Sequence, residues 1–149
     1  MTQEDKELLF KDLCARLPYG VKAYVKNWSK LDRKYYEGVY TVESIHPSLN
    51  NIWVYSERCS VEVIVGYDDY EIKPYLFPLS SMTEEQKETL KVMCDWDDEE
   101  ADAQSILVLY QKHFVMKTDV IDWLNENHFD YRGLIEKGLA IDATGLNIY

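Results

Sequence analysis

Glycine is scarce, six residues in 149, and scattered along the chain. No G-x-x-x-x-G-K-[ST], G-x-G-x-x-G or G-x-S-x-G occurs, which excludes the usual phosphate-cradling loops and the strained nucleophile elbow. Cysteine is scarcer: Cys14, Cys59 and Cys94 are odd in number, widely spaced and without a C-x-x-C pair. That argues against a disulfide framework and for free, buried thiols in a reducing compartment. The three histidines, His46, His113 and His128, pair neither with one another nor with a cysteine at zinc spacing, so no metal and no cofactor is expected. The longest apolar run is ILVLY at 106–110, far too short to cross a bilayer. The opening MTQEDKELLF is acidic and amphipathic and lacks the basic start of a signal peptide. A cytoplasmic location without membrane contact is expected.

Positive charge is also in short supply. Lys and Arg number 16 against 27 Asp and Glu, a net charge of −11. Such a chain repels phosphate backbones at long range, which disfavours general nucleic-acid binding. What is present is apolar and aromatic. Hydrophobic residues make up 46%, and a chain of this length buries roughly 70% of its unfolded surface, enough for a core without staples. There are twelve tyrosines. A buried tyrosine must satisfy its hydroxyl, so many of these rings belong on a half-exposed β surface or an interface.

Hydrophobic periodicity divides the chain. Residues 2–17 read as a helix, with Thr2 and Asp5 as a capping box, Leu9, Leu13 and Leu17 at i, i+4 spacing, and Phe10 and Cys14 widening the stripe; Pro18 and Gly20 end it. VKAYV turns Val21, Ala23 and Val25 inward. YYEGVYTVESI gives a second strand with a bulge expected at Gly38. HPSLNN turns, and NIWVYSE and VEVIVG give two more strands. After a turn at YDDY, EIKPYLFPL extends as a segment that Pro74 and Pro78 confine to a sheet edge or an extended ending. The expectation is an α+β fold: an N-terminal helix and a small antiparallel barrel, SH3-like or else an open meander, over 1–79, then a mainly helical part over 80–149 that shares one core with it. In that second part Ser81 with Glu84, or Thr83 with Gln86, would box a helix carrying Leu90 and Met93. AQSILVLYQKHFVM reads as helix by length and as strand by composition, with helix preferred. Thr118 would cap a further helix that closes at 125–127.

NENHFDYRGLIEKGLA, residues 125–140, brings together the residue types of an active site: His128, Asp130, Arg132 and Glu136. A structural reading accounts for all but the histidine. Asp130 sits at an N-cap position, Arg132 and Glu136 form an i, i+4 pair, and Gly138 is the left-handed stop of a short helix. DWDDEEADAQSI fails as an EF-hand loop, because Glu100 and Ile106 stand where Gly and Glu are needed. A solvated acidic loop, or an acidic mimic of nucleic acid, are the readings left for 95–102. Residues 22–36 interleave Lys22, Lys26, Lys30, Arg33 and Lys34 with Tyr24, Trp28, Tyr35 and Tyr36. This is either a stacking platform or a hairpin whose lysine stems cover its rings.

At LCARLPYGVK, YEIKPYLFPLSSMTEEQKE and WLNENHFDYRGLIEKGLAI the chain resembles a family of short proteins of uncharacterised activity from the genomes, prophages and mobile elements of gut anaerobes. The resemblance implies a phage-linked setting and a small regulatory or host-interaction protein; it carries over no functional residue. Residues 27–70 lie outside it. The expected function is a non-enzymatic protein-binding module. Its contact residues are Tyr24, Trp28, Tyr36, Trp53 and Tyr55, because large amphipathic rings dominate interface hot spots. The alternatives are an enzyme or ligand site around His128, Asp130 and Arg132, and the acidic mimic. An unidentified protein is the expected partner, with a homo-oligomer left open.

Overall fold

The structure, a computed structural model, describes residues 1–29, 34–57, 59–65, 70–98 and 100–149, with the side chains of 29 and 34 set aside. Helix α1 spans Gln3–Arg16 and opens with the expected capping box: Asp5 N donates to Thr2 Oγ1 at 3.1 Å and Thr2 N to Asp5 Oδ2 at 3.0 Å. Leu9, Phe10 and Leu13 are buried, whereas Cys14 is exposed and lies off the buried stripe. Cys59 is half-buried, so only Cys94 matches the expectation of a buried thiol.

After a short 3-10 turn over Leu17–Tyr19 come β1 (Lys22–Ser29), β2 (Lys34–His46), β3 (Asn51–Tyr55), β4 (Ser60–Ile64) and β5 (Tyr70–Leu76). A two-residue β6, Ile141–Asp142, returns from the end of the chain. The sheet order is β4-β3-β2-β1-β5-β6, antiparallel except for β5 with β6. The sheet is open, as in the meander alternative; no ladder closes β4 onto β5 among the described residues. Asn27 reaches across, its Nδ2 donating to the Glu62 carbonyl at 3.0 Å. The bulge lies in β2 between Val42 and Ser44 and not at Gly38. Gly38 instead holds φ at 153°, a conformation side chains disfavour. Lys30 and Arg33, and most of the expected turn at 67–70, lie outside the described residues.

Pro74 does sit in a strand. β1–β2 hydrogen bonding falls on the pairs that include Val21 with Val42, so Ala23 bonds toward β2 and Tyr24 toward β5. Pro74, opposite Ala23, therefore points its nitrogen away from β1, and β6 begins only opposite Tyr75. The ladder loses nothing by the missing N–H.

The second part holds α2 (Glu84–Cys94), α3 (Ala103–His113) and α4 (Thr118–Glu126). Thr83 and Gln86 form the box of α2, and 106–110 is helical. Thr118 is the first residue of α4 rather than its cap; Lys117 takes that place without a side-chain bond. Residues 130–138 do not form the expected helix. They make a series of turns, because Asp130 caps the N–H groups of both Leu134 and Ile135 (2.9 and 2.8 Å) and Gly138 reverses the chain at φ 69° after barely one turn.

Buried apolar side chains gather in two clusters. One joins Leu9, Phe10 and Leu13 of α1 to the inner face of the sheet, with Leu134, Leu139 and Ala140 of the C-terminal turns. The other unites Leu79, Met82 and Phe129 with α2, α3 and α4. The chain crosses between them twice at one place: Phe77 N donates to the His128 carbonyl at 2.9 Å and Asp130 N to the Phe77 carbonyl at 2.8 Å.

Candidate functional site

Strand alternation sends Val21, Ala23 and Val25 into the core and turns Lys22, Tyr24, Lys26 and Trp28 to the other face. Their β2 partners there are Thr41, Val39, Glu37 and Tyr35. The same face continues onto β3 through Tyr55, opposite Thr41, and Trp53, opposite Ser44. It is open to solvent: Tyr35 is 58% exposed, Tyr55 46%, Val39 43% and Trp53 38%.

Local contacts order these rings. Trp28 and Tyr35 pack with centroids 4.8 Å apart and planes at 54°. Lys26 Nζ lies 5.8 Å from the centre of the Tyr35 ring. Tyr24 donates its hydroxyl proton to Glu37 Oε1 at 2.7 Å. That bond, more than burial or neighbouring carboxylate charge, pushes the Tyr24 pKa up to about 12. Of the five rings singled out by sequence, Tyr24, Trp28, Trp53 and Tyr55 share this face. Tyr36 belongs to the opposite face and packs partly buried against the first core cluster. Tyr35 and Val39 were missed, although each alternates with Tyr36 and Gly38 at strand period.

His128, Asp130 and Arg132 do not converge. His128 is buried, 6% exposed, with φ at 56°. Its ring stacks on Tyr149, centroids 3.8 Å apart and planes within 14°, and its Nδ1 is buried without a partner among the described residues. Burial first, then the Arg16 charge, pushes its pKa down to about 4, so the imidazole is neutral at neutral pH. Asp130 spends both carboxylate oxygens on main-chain N–H groups. Arg132 donates to Asp12 Oδ1 at 2.8 Å; it does not form the expected pair with Glu136. A cleft of ≈ 390 Å³ beside His128 is lined mainly by Phe77, Phe129, Tyr149, Glu126 and Asn127. Glu126 is the one carboxylate among its described lining residues.

Sequence reading also missed the polar group behind this segment. Asp12 and Arg16 are wholly buried and joined twice, Nε to Oδ2 at 2.8 Å and Nη2 to Oδ1 at 3.1 Å. Arg16 also donates to the carbonyls of Phe129 at 2.7 Å and Leu124 at 3.5 Å. Arg16 and Arg132 both lie over the Tyr131 ring. The signal was available: Asp12 and Arg16 follow Leu9 and Leu13 by three, on the same helix face.

In the acidic run, Asp95 in left-handed conformation ends α2 and pairs with Lys117 at 2.7 Å. Asp98 accepts from Glu100 N, and Asp102 caps α3 by accepting from Ser105 N; Glu99 lies outside the described residues. Among the described residues no three His, Cys, Asp or Glu side chains are grouped to hold a metal ion, and no helix is long and apolar enough to cross a membrane. No family model, curated protein or solved structure matches the chain.

Proposed function

We propose that the protein is a non-enzymatic binding module that holds a protein partner against the outer face of its sheet. The observation that carries this reading is the gathering of Tyr35, Val39, Tyr55 and Trp53, all solvent-exposed, on one face with the half-buried Trp28. Exposed rings collected on one face of a folded domain mark an interaction site, and tryptophan and tyrosine supply large contact area at low entropic cost. A phage-linked regulatory or host-interaction role, implied by the three resembling segments, suits such a module. The test is native mass spectrometry of the protein isolated from its own cells, beside Trp53→Ala/Tyr55→Ala. A defined partner mass, lost in the variant at unchanged urea midpoint, supports the reading; a partner retained in full by the variant refutes it. A second reading, a small-ligand site, rests on the cleft beside His128 and its unpartnered Nδ1. It requires a small molecule bound in the same spectra, and a bare polypeptide mass counts against it.

A further inference from the structure

β2 is longer than its neighbour. It spans Lys34–His46, but β3 pairs with it only from Thr41 onward. The β3–β4 hairpin turns away at once, with Ser56 N donating to the Cys59 carbonyl at 2.9 Å. The side of β2 that faces away from β1 is therefore bare over residues 35–40. Hydrogen-bond alternation identifies the exposed groups. Val42 N donates to the Val21 carbonyl, so Tyr40, Gly38 and Tyr36 bond toward β1, and Val39, Glu37 and Tyr35 point N–H and C=O outward. Among the described residues nothing accepts from or donates to those six main-chain groups.

The sheet's other edges are covered in part. β6 covers the end of β5, and the Asn27 amide plugs the Glu62 carbonyl of β4. Natural sheets blunt or cover edges that are not meant to pair. The bare stretch of β2 borders instead a cleft of ≈ 690 Å³, walled on its far side by Ser56, Glu57 and Cys59. Gly38 leaves a gap between Tyr36 and Tyr40 on the inner side; a Cβ there would meet only Tyr40, at 3.9 Å. Glycine in a strand interior is a place where another backbone can come close.

We infer that this edge is a strand-addition site: an extended segment of a partner protein, rich in lysine or arginine, pairs with residues 35–39 in the place β3 vacates. The inference rests on the protein-binding reading and names its mode. Five residues at strand rise offer about 17 Å of edge. Main-chain bonds to Tyr35, Glu37 and Val39 hold the incoming strand, and its alternate side chains meet the outer rings and the cleft. Its charge follows from Glu57 on the cleft wall and the net charge of −11, Glu37 being already shared with the Tyr24 hydroxyl and set opposite Lys26. A second copy is disfavoured as occupant: antiparallel self-pairing centred on this stretch sets Glu37 opposite Glu37, and both copies carry the same net charge.

The test is selection of displayed random ten-residue peptides on the purified protein. Enriched peptides are then titrated against the native protein, Glu37→Pro and Trp53→Ala/Tyr55→Ala. Proline removes an outward N–H that β1 does not use. The expected result is basic, strand-forming peptides that Glu37→Pro weakens at least tenfold, with slowed amide exchange at Tyr35, Glu37 and Val39 in the native complex. No enriched peptide, acidic peptides, or unchanged exchange at those three amides overturns the inference, and the exchange measurement decides even if Glu37→Pro fails to fold. Loss only in the Trp53/Tyr55 variant refutes the edge and keeps the face. Loss only in Glu37→Pro keeps the edge and refutes the role of those rings.

Discussion

Asp12→Ala removes the carboxylate that serves two guanidinium groups. Three charge-assisted bonds disappear: two from Arg16 (2.8 and 3.1 Å) and one from Arg132 (2.8 Å). The two arginines then face different fates. The Arg132 side chain is 15% exposed and can recover water. Arg16 is enclosed and keeps only the carbonyls of Phe129 and Leu124, the second at a marginal 3.5 Å. Stripping the partner from a buried charge costs about 3–5 kcal/mol, a fall in melting temperature of about 6–20 °C for a chain of this size. Arg132→Met, which removes one bond and strands no buried charge beside Arg16, is expected to cost about 1 kcal/mol. The decisive variant is Asp12→Ala/Arg16→Met. It orphans two carbonyls but leaves no enclosed lone cation, so its loss should fall short of the sum of the Asp12→Ala and Arg16→Met losses by at least about 1 kcal/mol. Urea unfolding followed by tryptophan fluorescence reads the native protein and all four variants. If Asp12→Ala stays within 1 kcal/mol of the native protein, or the losses simply add, the buried pair is not holding α1 to the C-terminal turns.

Three further perturbations follow from the same region. His128 titrates near 4 folded and near 6.5 unfolded, so the unfolded chain binds more protons between those values. Stability is full above about pH 6.5 and declines as pH falls toward 4, by about 3 kcal/mol in all. His128→Asn, which suits the left-handed φ and cannot titrate there, should flatten the urea midpoint across that window. Tyr149→Ala removes the ring stacked on His128 and a hydroxyl that donates to the Tyr75 carbonyl at 2.9 Å and accepts from Lys22 N at 3.1 Å. The imidazole should then titrate measurably closer to 6.5 by NMR, and an unmoved titration would show that the ring does not shield it. Thr83→Ala breaks the capping box of α2 and should cost about 1 kcal/mol in the same urea assay.

Elements governed by local chemistry were legible in the chain. Both capping boxes, the helix at 103–113, the inward set Val21, Ala23 and Val25, and the left-handed Gly138 follow from residue identity within one or two turns. What escaped depends on partners far along the chain. Arg132 faces Glu136 in sequence yet binds Asp12, because one turn after Asp130 the chain reverses and carries it toward α1. Tyr36 looks like its neighbour Tyr35, but strand parity sends it to the other face, and parity depends on a register that a sequence shows only weakly. The bare edge of β2 was invisible for the same reason: it arises where β3 stops, not from any residue in β2.

Segments 13–22, 70–88 and 123–141 are far apart in sequence and meet at one seam. Arg16 reaches the carbonyls of Leu124 and Phe129. Phe77 brackets Phe129 through two main-chain bonds. Tyr75 pairs with Ile141. Asp130 and Arg132 spend their polar atoms on the turns and on Asp12, which is why they stand beside His128 in sequence and do not converge with it in space. The outer rings and the bare edge of β2 lie instead within 23–69, between the first two of those segments. The outward side chains of this stretch can change without disturbing the core that its inward side chains, such as Val42, Ile52 and Val54, help to build. Tyr35→Thr/Val39→Thr changes only exposed side chains of β2 and should leave the unfolding free energy within about 1 kcal/mol of its native value while weakening peptide capture; a variant that loses more would place this face in the folding core.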